Sequence, residues 1–207
     1  MRIQPANRRL GIFLSGRGSN FEAIADRIAS GKLDAEIAIV ISNVESARGL
    51  ERARERGLNT VFIPSKNRPR EQFDAEALSV LRKHDVSLVV LAGFMRIFSS
   101  VFLEAFPYGI LNIHPALLPC FPGRDVQQKA LESGVKFSGC TVHFVNEILD
   151  GGPIVRQAVV PVMDDDTVET LSARILKEEH QIYSQAIELV LSGRCELQGS
   201  RVIQRHE

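Results

Sequence analysis

Residues 9–31, RLGIFLSGRGSNFEAIADRIASG, contain the first pattern from which the fold class can be predicted. Residues 9–15 form an apolar run as long as a buried strand, after which glycine and serine interrupt the chain. The segment that follows is helix-like up to Gly31, with Ser19 or Asn20 near its N-cap. These residues predict a strand, a tight turn and a helix, which together begin a β-α-β unit.

The same alternation continues as far as residue 114. Further strand-like runs lie at 35–42, 59–64, 86–93 and 109–114. Helix-like segments separate them at 45–57, 69–85 and 99–106. Strands that alternate with helices of this length favour right-handed crossovers and a parallel, doubly wound sheet.

The pattern changes after residue 120. Two strand-like runs, 136–145 and 153–162, are joined by a short loop and predict an antiparallel pair. The longest helix is predicted over 166–193, and two short strands are predicted in the tail at 195–206. The predicted fold class is therefore α/β: a Rossmann-like, doubly wound, mostly parallel sheet with antiparallel additions in the C-terminal half.

Composition limits the classes of protein that fit. The length of 207 residues and the absence of repeats predict a single domain, 1–207. Lys and Arg number 25 and so do Asp and Glu, which disfavours a general nucleic-acid or anionic-membrane binder. Three separated cysteines form no CxxC pair, and no apolar stretch is long enough to span a membrane. We therefore expect a cytoplasmic protein with reduced thiols.

The glycine loop SGRGSN, residues 15–20, lies between the first strand and the first helix. It does not match the dinucleotide pattern GxGxxG, because Phe21 stands where the third glycine belongs. It also lacks the GK[ST] ending of a nucleoside-triphosphate loop. A site for a single phosphate at the helix N-terminus and a tight turn without ligand both remain open.

Two further motifs carry titratable or amide side chains. In LNIHPALLPCFPG, residues 111–123, Asn112 and His114 are two positions apart on a strand and therefore share one face. An amide and an imidazole there could stabilise an oxyanion, and the imidazole could also move protons. In LDGG, residues 149–152, Asp150 would favour the protonated imidazole if it lay near His114, but Asp–Gly is also a common turn.

Taken together, these motifs resemble the folate-dependent formyltransferase family. The resemblance rests on five stretches in family order: SGRGSN (15–20), GFMRI (93–97), LNIHPALLP (111–119), GCTVHFV (139–145) and LDGGPIVRQ (149–157). It implies a formyltransferase fold, with a phosphate-binding half at 1–110 and a catalytic and folate-binding half at 111–207.

The resemblance also implies a role for individual residues. Asn112, His114 and Asp150 would be catalytic, and Glu179 would meet the amine side of the substrate. The substrate phosphate would be bound by Gly18, Ser19 and Asn20. The folate would be bound by Arg70, Met95, Arg96, Ile97, Phe98 and Asn112, with the loop 146–151 folding over the pterin. His143 is interpreted as a structural strand histidine, whereas the roles of Arg17 and His180 are left open.

The implied reaction moves the formyl group of 10-formyltetrahydrofolate, the co-substrate, to the amine of 5-phosphoribosylglycinamide in purine (IMP) biosynthesis. Small molecules are the expected partners of a monomer or homodimer, without metal, nucleic acid or membrane. A formyltetrahydrofolate hydrolase, another folate-dependent formyltransferase such as one acting on methionyl-tRNA, and a non-catalytic folate- or nucleotide-binding module remain alternatives.

Overall fold

A computed structural model of the chain describes residues 1–205. Its strands are β1 (Arg2–Ile3), β2 (Arg9–Leu14), β3 (Glu36–Ser42), β4 (Thr60–Phe62), β5 (Leu88–Leu91), β6 (Ile110–His114), β7 (Phe137–Phe144), β8 (Ile154–Pro161), β9 (Cys195–Gln198) and β10 (Arg201–Gln204). Its helices are α1 (Ser19–Ala29), α2 (Arg48–Glu55), α3 (Arg70–Lys83), α4 (Ser100–Ala105), α5 (Val126–Glu132) and α6 (Val168–Leu191). Each helix and strand that the sequence predicts is present in the structure, and its observed bounds lie within the predicted segment.

Seven strands form one sheet in the order β4-β3-β2-β5-β6-β7-β8. The strands from β2 to β6 pair in parallel, whereas β7 pairs antiparallel with both β6 and β8. The α/β fold class and the antiparallel additions in the C-terminal half are confirmed. The parallel strands end along one edge of the sheet, where ligands bind in folds of this kind.

Alternate residues of the strands face two separate cores. On β2, Ile12 and Leu14 pack in the cluster that contains α1 and α6, and Phe13 packs in the cluster that contains α3 and α4. This alternation follows from the two-residue period of a strand. Helices thus cover both faces of the sheet. A ligand can reach the sheet only at the ends of its strands.

A second sheet joins the two ends of the described chain. It has three strands in the order β1-β9-β10, all antiparallel. The two tail strands were predicted, although the predicted segment extended to His206, which lies outside the described residues. The sequence did not indicate β1, because two residues are too few to carry a strand pattern.

Within residues 1–205, none of the helices has both the length and the apolar character needed to cross a membrane.

Candidate active site

His114 and Asp150 lie together although they belong to different segments. His114 is the last residue of β6, and Asp150 lies in the loop between β7 and β8. The imidazole Nδ1 is 3.5 Å from Asp150 Oδ2, and the two side chains are 6% and 9% exposed. The sequence left this separation open, and the structure brings the two groups into contact.

The backbone of the proline-rich loop between β6 and α5 holds both side chains. The Phe121 carbonyl lies 2.9 Å from His114 Nε2, and the Gly123 N–H donates to Asp150 Oδ2 at 2.9 Å. A carbonyl can only accept, so His114 carries a proton on Nε2. The other ring nitrogen, Nδ1, faces the Asp150 carboxylate.

Asp150 remains ionised in this environment. Burial by itself raises the pKa of the carboxyl, but contacts with His143, the Gly123 N–H and the charge of His114 outweigh that effect, so the pKa is lowered. The backbone of Asp150 is left-handed with φ of 52°, a conformation that Asp tolerates better than most residues. Gly152, two residues after Asp150, has no room for a side chain, because a Cβ would collide with the Phe144 carbonyl.

Asn112 contacts His143, which the sequence predicted to be only a structural strand residue. His143 on β7 pairs directly with Asn112 on β6. Its Nε2 lies 3.1 Å from Asn112 Nδ2 and 3.7 Å from Asp150 Oδ1, and its Nδ1 lies 2.9 Å from the Phe144 carbonyl. His143 is a buried strand residue as predicted, but it also contacts two of the three candidate catalytic side chains. The sequence did not indicate this contact, because it does not show that His143 lies opposite Asn112 in the β6–β7 register.

A cavity of about 510 Å³ connects these side chains to the first helix. Among the predicted site residues, those that line it are Asn20, Met95, Arg96, Ile97, Asn112, His114, Asp150 and Glu179. Residues from both halves of the chain therefore face one space, which is large enough for part of a small-molecule ligand.

Asn20 and Glu179 are joined across this cavity. The amide Nδ2 of Asn20 donates to Glu179 Oε2 at 2.7 Å, and both side chains are buried. Burial raises the pKa of Glu179, and the hydrogen bond from Asn20 opposes this only in part. The Asn20 side chain is thus engaged with Glu179, and its backbone N–H is the group left for an anion at the start of α1.

The glycine loop requires glycine for a steric reason. Gly18 precedes α1 with φ of 79°, and a Cβ at this position would lie 2.8 Å from the Cα of Gly49. The Gly49 N–H in turn donates to the Gly16 carbonyl at 3.0 Å. The start of α1 is therefore held tightly against α2, with the backbone N–H groups of Ser19 and Asn20 at the helix N-terminus.

A polar network links the glycine loop to the segment 93–98. The Ser15 hydroxyl donates to Asn43 Oδ1 at 2.6 Å and accepts from the Met95 N–H at 2.9 Å. Asn43 Nδ2 then donates to Ser65 Oγ at 3.1 Å, and Arg96 donates to the Ser65 carbonyl at 2.8 Å. Sequence analysis missed this network because its members come from four separate strand ends.

The predicted folate residues do not all face the cavity. Met95 and Ile97 line it and are 59% and 56% exposed, so their apolar side chains are accessible to a ligand. Phe98 is instead 4% exposed and stacks on Phe102, with ring centres 3.8 Å apart. Arg70 is exposed at the start of α3, outside the lining of this cavity.

A second cavity, of about 1000 Å³, borders the loop 146–151. Leu103, Tyr108, Val145 and Gln157 contribute to its walls, and Asp150 lines both cavities. Asp150 therefore borders both spaces, and the loop that carries it forms a wall of each.

The buried cysteines and His180 are less suited to catalysis than His114 and Asp150. Burial raises the pKa of the Cys140 thiol to about 12 and that of Cys195 to about 11, so neither is a ready nucleophile. Burial lowers the pKa of His180. In the described part of the chain, no group of three His, Cys, Asp or Glu side chains could hold a metal ion.

Comparisons with known proteins match most of the chain. The sequence model of the formyl transferase family matches residues 8–187. The chain is 43% identical over 196 residues to the trifunctional purine biosynthetic protein adenosine-3 of Bos taurus, covering 94% of this chain and 19% of that protein. The chain thus spans about a fifth of the length of such relatives.

Two other relatives are closer to this chain in length. The chloroplastic phosphoribosylglycinamide formyltransferase of Arabidopsis thaliana is 38% identical, covering 92% of this chain and 68% of that protein. The solved structure of glycinamide ribonucleotide transformylase 1 from Symbiobacterium toebii has a TM-score of 0.93 and 48% identity, covering 96% and 94% of the two chains.

A formyltetrahydrofolate deformylase from Pseudomonas syringae has a similar fold but a lower identity. Its TM-score is 0.89 at 27% identity, covering 96% of this chain and 66% of that one. The deformylase is therefore a more distant match in sequence than the transformylase. On the match over residues 8–187 and these identities, the chain belongs to the formyl transferase family.

Proposed function

We propose that this chain is a phosphoribosylglycinamide formyltransferase, which transfers the formyl group of 10-formyltetrahydrofolate to the amine of 5-phosphoribosylglycinamide in purine (IMP) biosynthesis. The observation that carries the proposal is the cavity in which His114, Asp150 and Asn112 face the Asn20–Glu179 pair. An acyl-transfer site needs positive charge and hydrogen-bond donors on one side and a place for the amine on the other. The names of the relatives of similar length support the same reaction.

In the proposed reaction the neutral amine attacks the formyl carbon and forms a C–N bond. Negative charge then develops on the formyl oxygen, where the imidazolium of His114 and an N–H of Asn112 stabilise it. A donor that is already in place for an oxyanion contributes about 10²–10³ in rate. The bond between the formyl carbon and N10 of the folate breaks next, the amine loses a proton, and N10 gains one.

Asp150 keeps His114 protonated and receives the amine proton, directly or through water. Three features support this role: the 3.5 Å approach to His114 Nδ1, the lowered pKa of the carboxyl and its burial. A separation of 3.5 Å exceeds a strong hydrogen bond, so an oxygen that enters beside Nδ1 does not have to displace a tight partner.

The substrate phosphate lies at the start of α1, against the backbone of Gly18, Ser19 and Asn20. Glu179 then faces the glycinamide amine, and its hydrogen bond to Asn20 connects the phosphate side to the amine side. Met95, Arg96 and Ile97 contact the folate, with Phe98 contributing through its backbone because its ring is buried. The loop 146–151 covers the pterin at the junction of the two cavities, and Arg70 lies toward the glutamate end.

The wider assignment belongs to the same proposal. The single domain 1–207 has a phosphate-binding half at 1–110 and a catalytic and folate-binding half at 111–207. It acts in the cytoplasm on small molecules, as a monomer or homodimer, without a metal, nucleic acid or membrane as partner. Equal numbers of acidic and basic residues and three free thiols support this assignment.

The test follows the loss of 10-formyltetrahydrofolate by absorbance, with and without 5-phosphoribosylglycinamide. Turnover that depends on the amine, with formylglycinamide ribonucleotide as product, is the expected result. Equal turnover without the amine would instead identify a hydrolase, the activity named for the deformylase of similar fold. Binding of both compounds without turnover would identify a non-catalytic module.

A further inference from the structure

We propose that His143 is a positioning residue that fixes the orientation of the Asn112 amide in the catalytic cavity. The inference rests on the proposed function, because it gives His143 its effect through the oxyanion donor Asn112. His143 is 2% exposed, so any effect on the reaction passes through the groups packed against it.

The backbone decides which nitrogen of His143 carries the proton. Nδ1 lies 2.9 Å from the carbonyl of Phe144, and a carbonyl oxygen can only accept. Nδ1 is therefore the N–H of the ring, and in the neutral imidazole Nε2 is left with a lone pair. This tautomer follows from the position of the ring on β7 and needs no ligand.

The lone pair of Nε2 then decides the orientation of Asn112. The two residues are direct partners in the β6–β7 ladder, so their side chains share one face of the sheet. Asn112 Nδ2 lies 3.1 Å from Nε2, and a lone pair accepts only from an N–H. One N–H of the amide is thus bound to His143, and the second N–H of the same nitrogen has a fixed direction.

Without this contact the amide could turn over. An asparagine amide has two orientations that exchange its oxygen and its nitrogen, and they differ only through their hydrogen bonds. The reversed orientation would put a carbonyl oxygen where Nδ2 now lies, and that oxygen would repel the negative charge of the developing oxyanion. His143 therefore excludes an orientation that opposes the reaction.

Asp150 is the second polar neighbour of the ring. Its Oδ1 lies 3.7 Å from Nε2, beyond ordinary hydrogen-bond length and farther than Asn112 Nδ2. A ring protonated on Nε2 would donate to Asp150 and could no longer accept from Asn112. The positioning role of His143 belongs to the ring whose only proton is on Nδ1, in which Nε2 accepts from Asn112 at 3.1 Å.

Two substitutions separate the two ring nitrogens. In His143→Gln the side-chain oxygen can reach the place of Nε2 and accept from Asn112, whereas His143→Asn can replace only Nδ1. With saturating substrates, we expect kcat of His143→Asn to fall about 10-fold to 100-fold, part of what loss of an oxyanion donor costs. We expect KM to change less than about threefold, and His143→Gln to keep kcat within about threefold of the wild type.

A double-mutant cycle gives the readout that a purely structural role would not move. In an Asn112→Ala background, His143→Asn should lower kcat less than about twofold, because the donor that it orients is gone. Equal losses in both backgrounds, or equal impairment of the Gln and Asn variants with unchanged Tm, would overturn the proposal. If His143→Asn does not fold, the test uses a folded His143→Gln variant. A kcat of His143→Gln as low as that of Asn112→Ala overturns the proposal, and a kcat near that of the wild type supports it.

The turnover of the wild-type chain distinguishes a failure of the proposed function from a failure of the positioning role of His143. A wild-type chain without amine-dependent turnover refutes the proposed function itself. An active wild-type chain whose two His143 variants behave alike refutes only the positioning role.

Discussion

Asp150 Oδ2 lies 3.5 Å from His114 Nδ1 and accepts the Gly123 N–H at 2.9 Å. In the loop that contains Gly123, the Phe121 carbonyl accepts from Nε2 on the other side of the imidazole. One rigid segment therefore fixes both members of an acid–base pair. Because the pair is buried, its charges act on a bound ligand with little screening by water.

Asp150→Asn should lower kcat on the order of 10-fold to 100-fold between pH 6 and pH 8. Asn retains the left-handed backbone and an oxygen for the Gly123 N–H, so the change removes the charge and little else. The lost charge is the acceptor proposed for the amine proton. The pKa of Asp150 itself is lowered, so Asp150 stays ionised across this range.

The measurement is kcat against pH for the wild type and the variant. Asp164→Asn is the matched control, since its side chain is 94% exposed and pairs only with Lys136 among the described residues. A wild-type rate and profile in Asp150→Asn would remove this carboxylate from the proton chemistry.

Ser15→Ala should raise KM for the formyl-folate about 3-fold to 10-fold while kcat stays nearly constant. The substitution removes the acceptor of the Met95 N–H and one partner of Asn43, and thereby loosens the segment proposed to bind the folate. Initial rates at varied folate concentration provide the test. Ser30→Ala removes an exposed hydroxyl that bonds only the Arg27 carbonyl among the described residues, and should leave both constants unchanged. An unchanged KM in Ser15→Ala would show that the network does not position this segment.

Glu179→Gln should stabilise the fold at neutral pH while weakening the reaction. The pKa of Glu179 is raised above its ordinary value of 4.5, chiefly by burial. As the pH rises from that value to the folded-state pKa, the unfolded chain ionises first and the wild type loses stability. Gln still accepts from Asn20 without a buried charge, so Tm should rise by about 2–6 °C at pH 7.5.

The gain in Tm should disappear near pH 4, where Glu179 is protonated in both states. Thermal unfolding at the two pH values checks this, and Glu178→Gln on the same helix serves as the control. The accompanying increase in KM for the amine substrate would mark Glu179 as a substrate contact. A Tm that falls at pH 7.5 would contradict the assigned cost of the buried charge.

The sequence predicted the main sheet because each of its strands is an apolar run long enough to be recognised between helices. Ile12, Phe13 and Leu14 illustrate this, since both faces of a parallel strand are buried and the run is continuous. By contrast, β1 is two residues long and pairs with β9 near the other end of the chain. Neither its length nor its partner is encoded in a local pattern.

The candidate site shows the same limit. Asn112 and His114 could be placed on one face from strand periodicity, and the family motifs drew attention to Asp150. The contact of His143 with Asn112 depends on the register of β6 against β7, which no local pattern of residues specifies. The pairing of Asn20 with Glu179 joins an early helix to the last helix, and periodicity alone does not indicate it.

The proposed acyl transfer depends most on His114, and kcat of His114→Ala on 5-phosphoribosylglycinamide tests this role. We expect kcat to fall by about 10²–10³, with Kd for both substrates within about threefold and an unchanged far-UV circular dichroism spectrum. A folded His114→Ala variant with kcat within about threefold of the wild type would refute the role of His114.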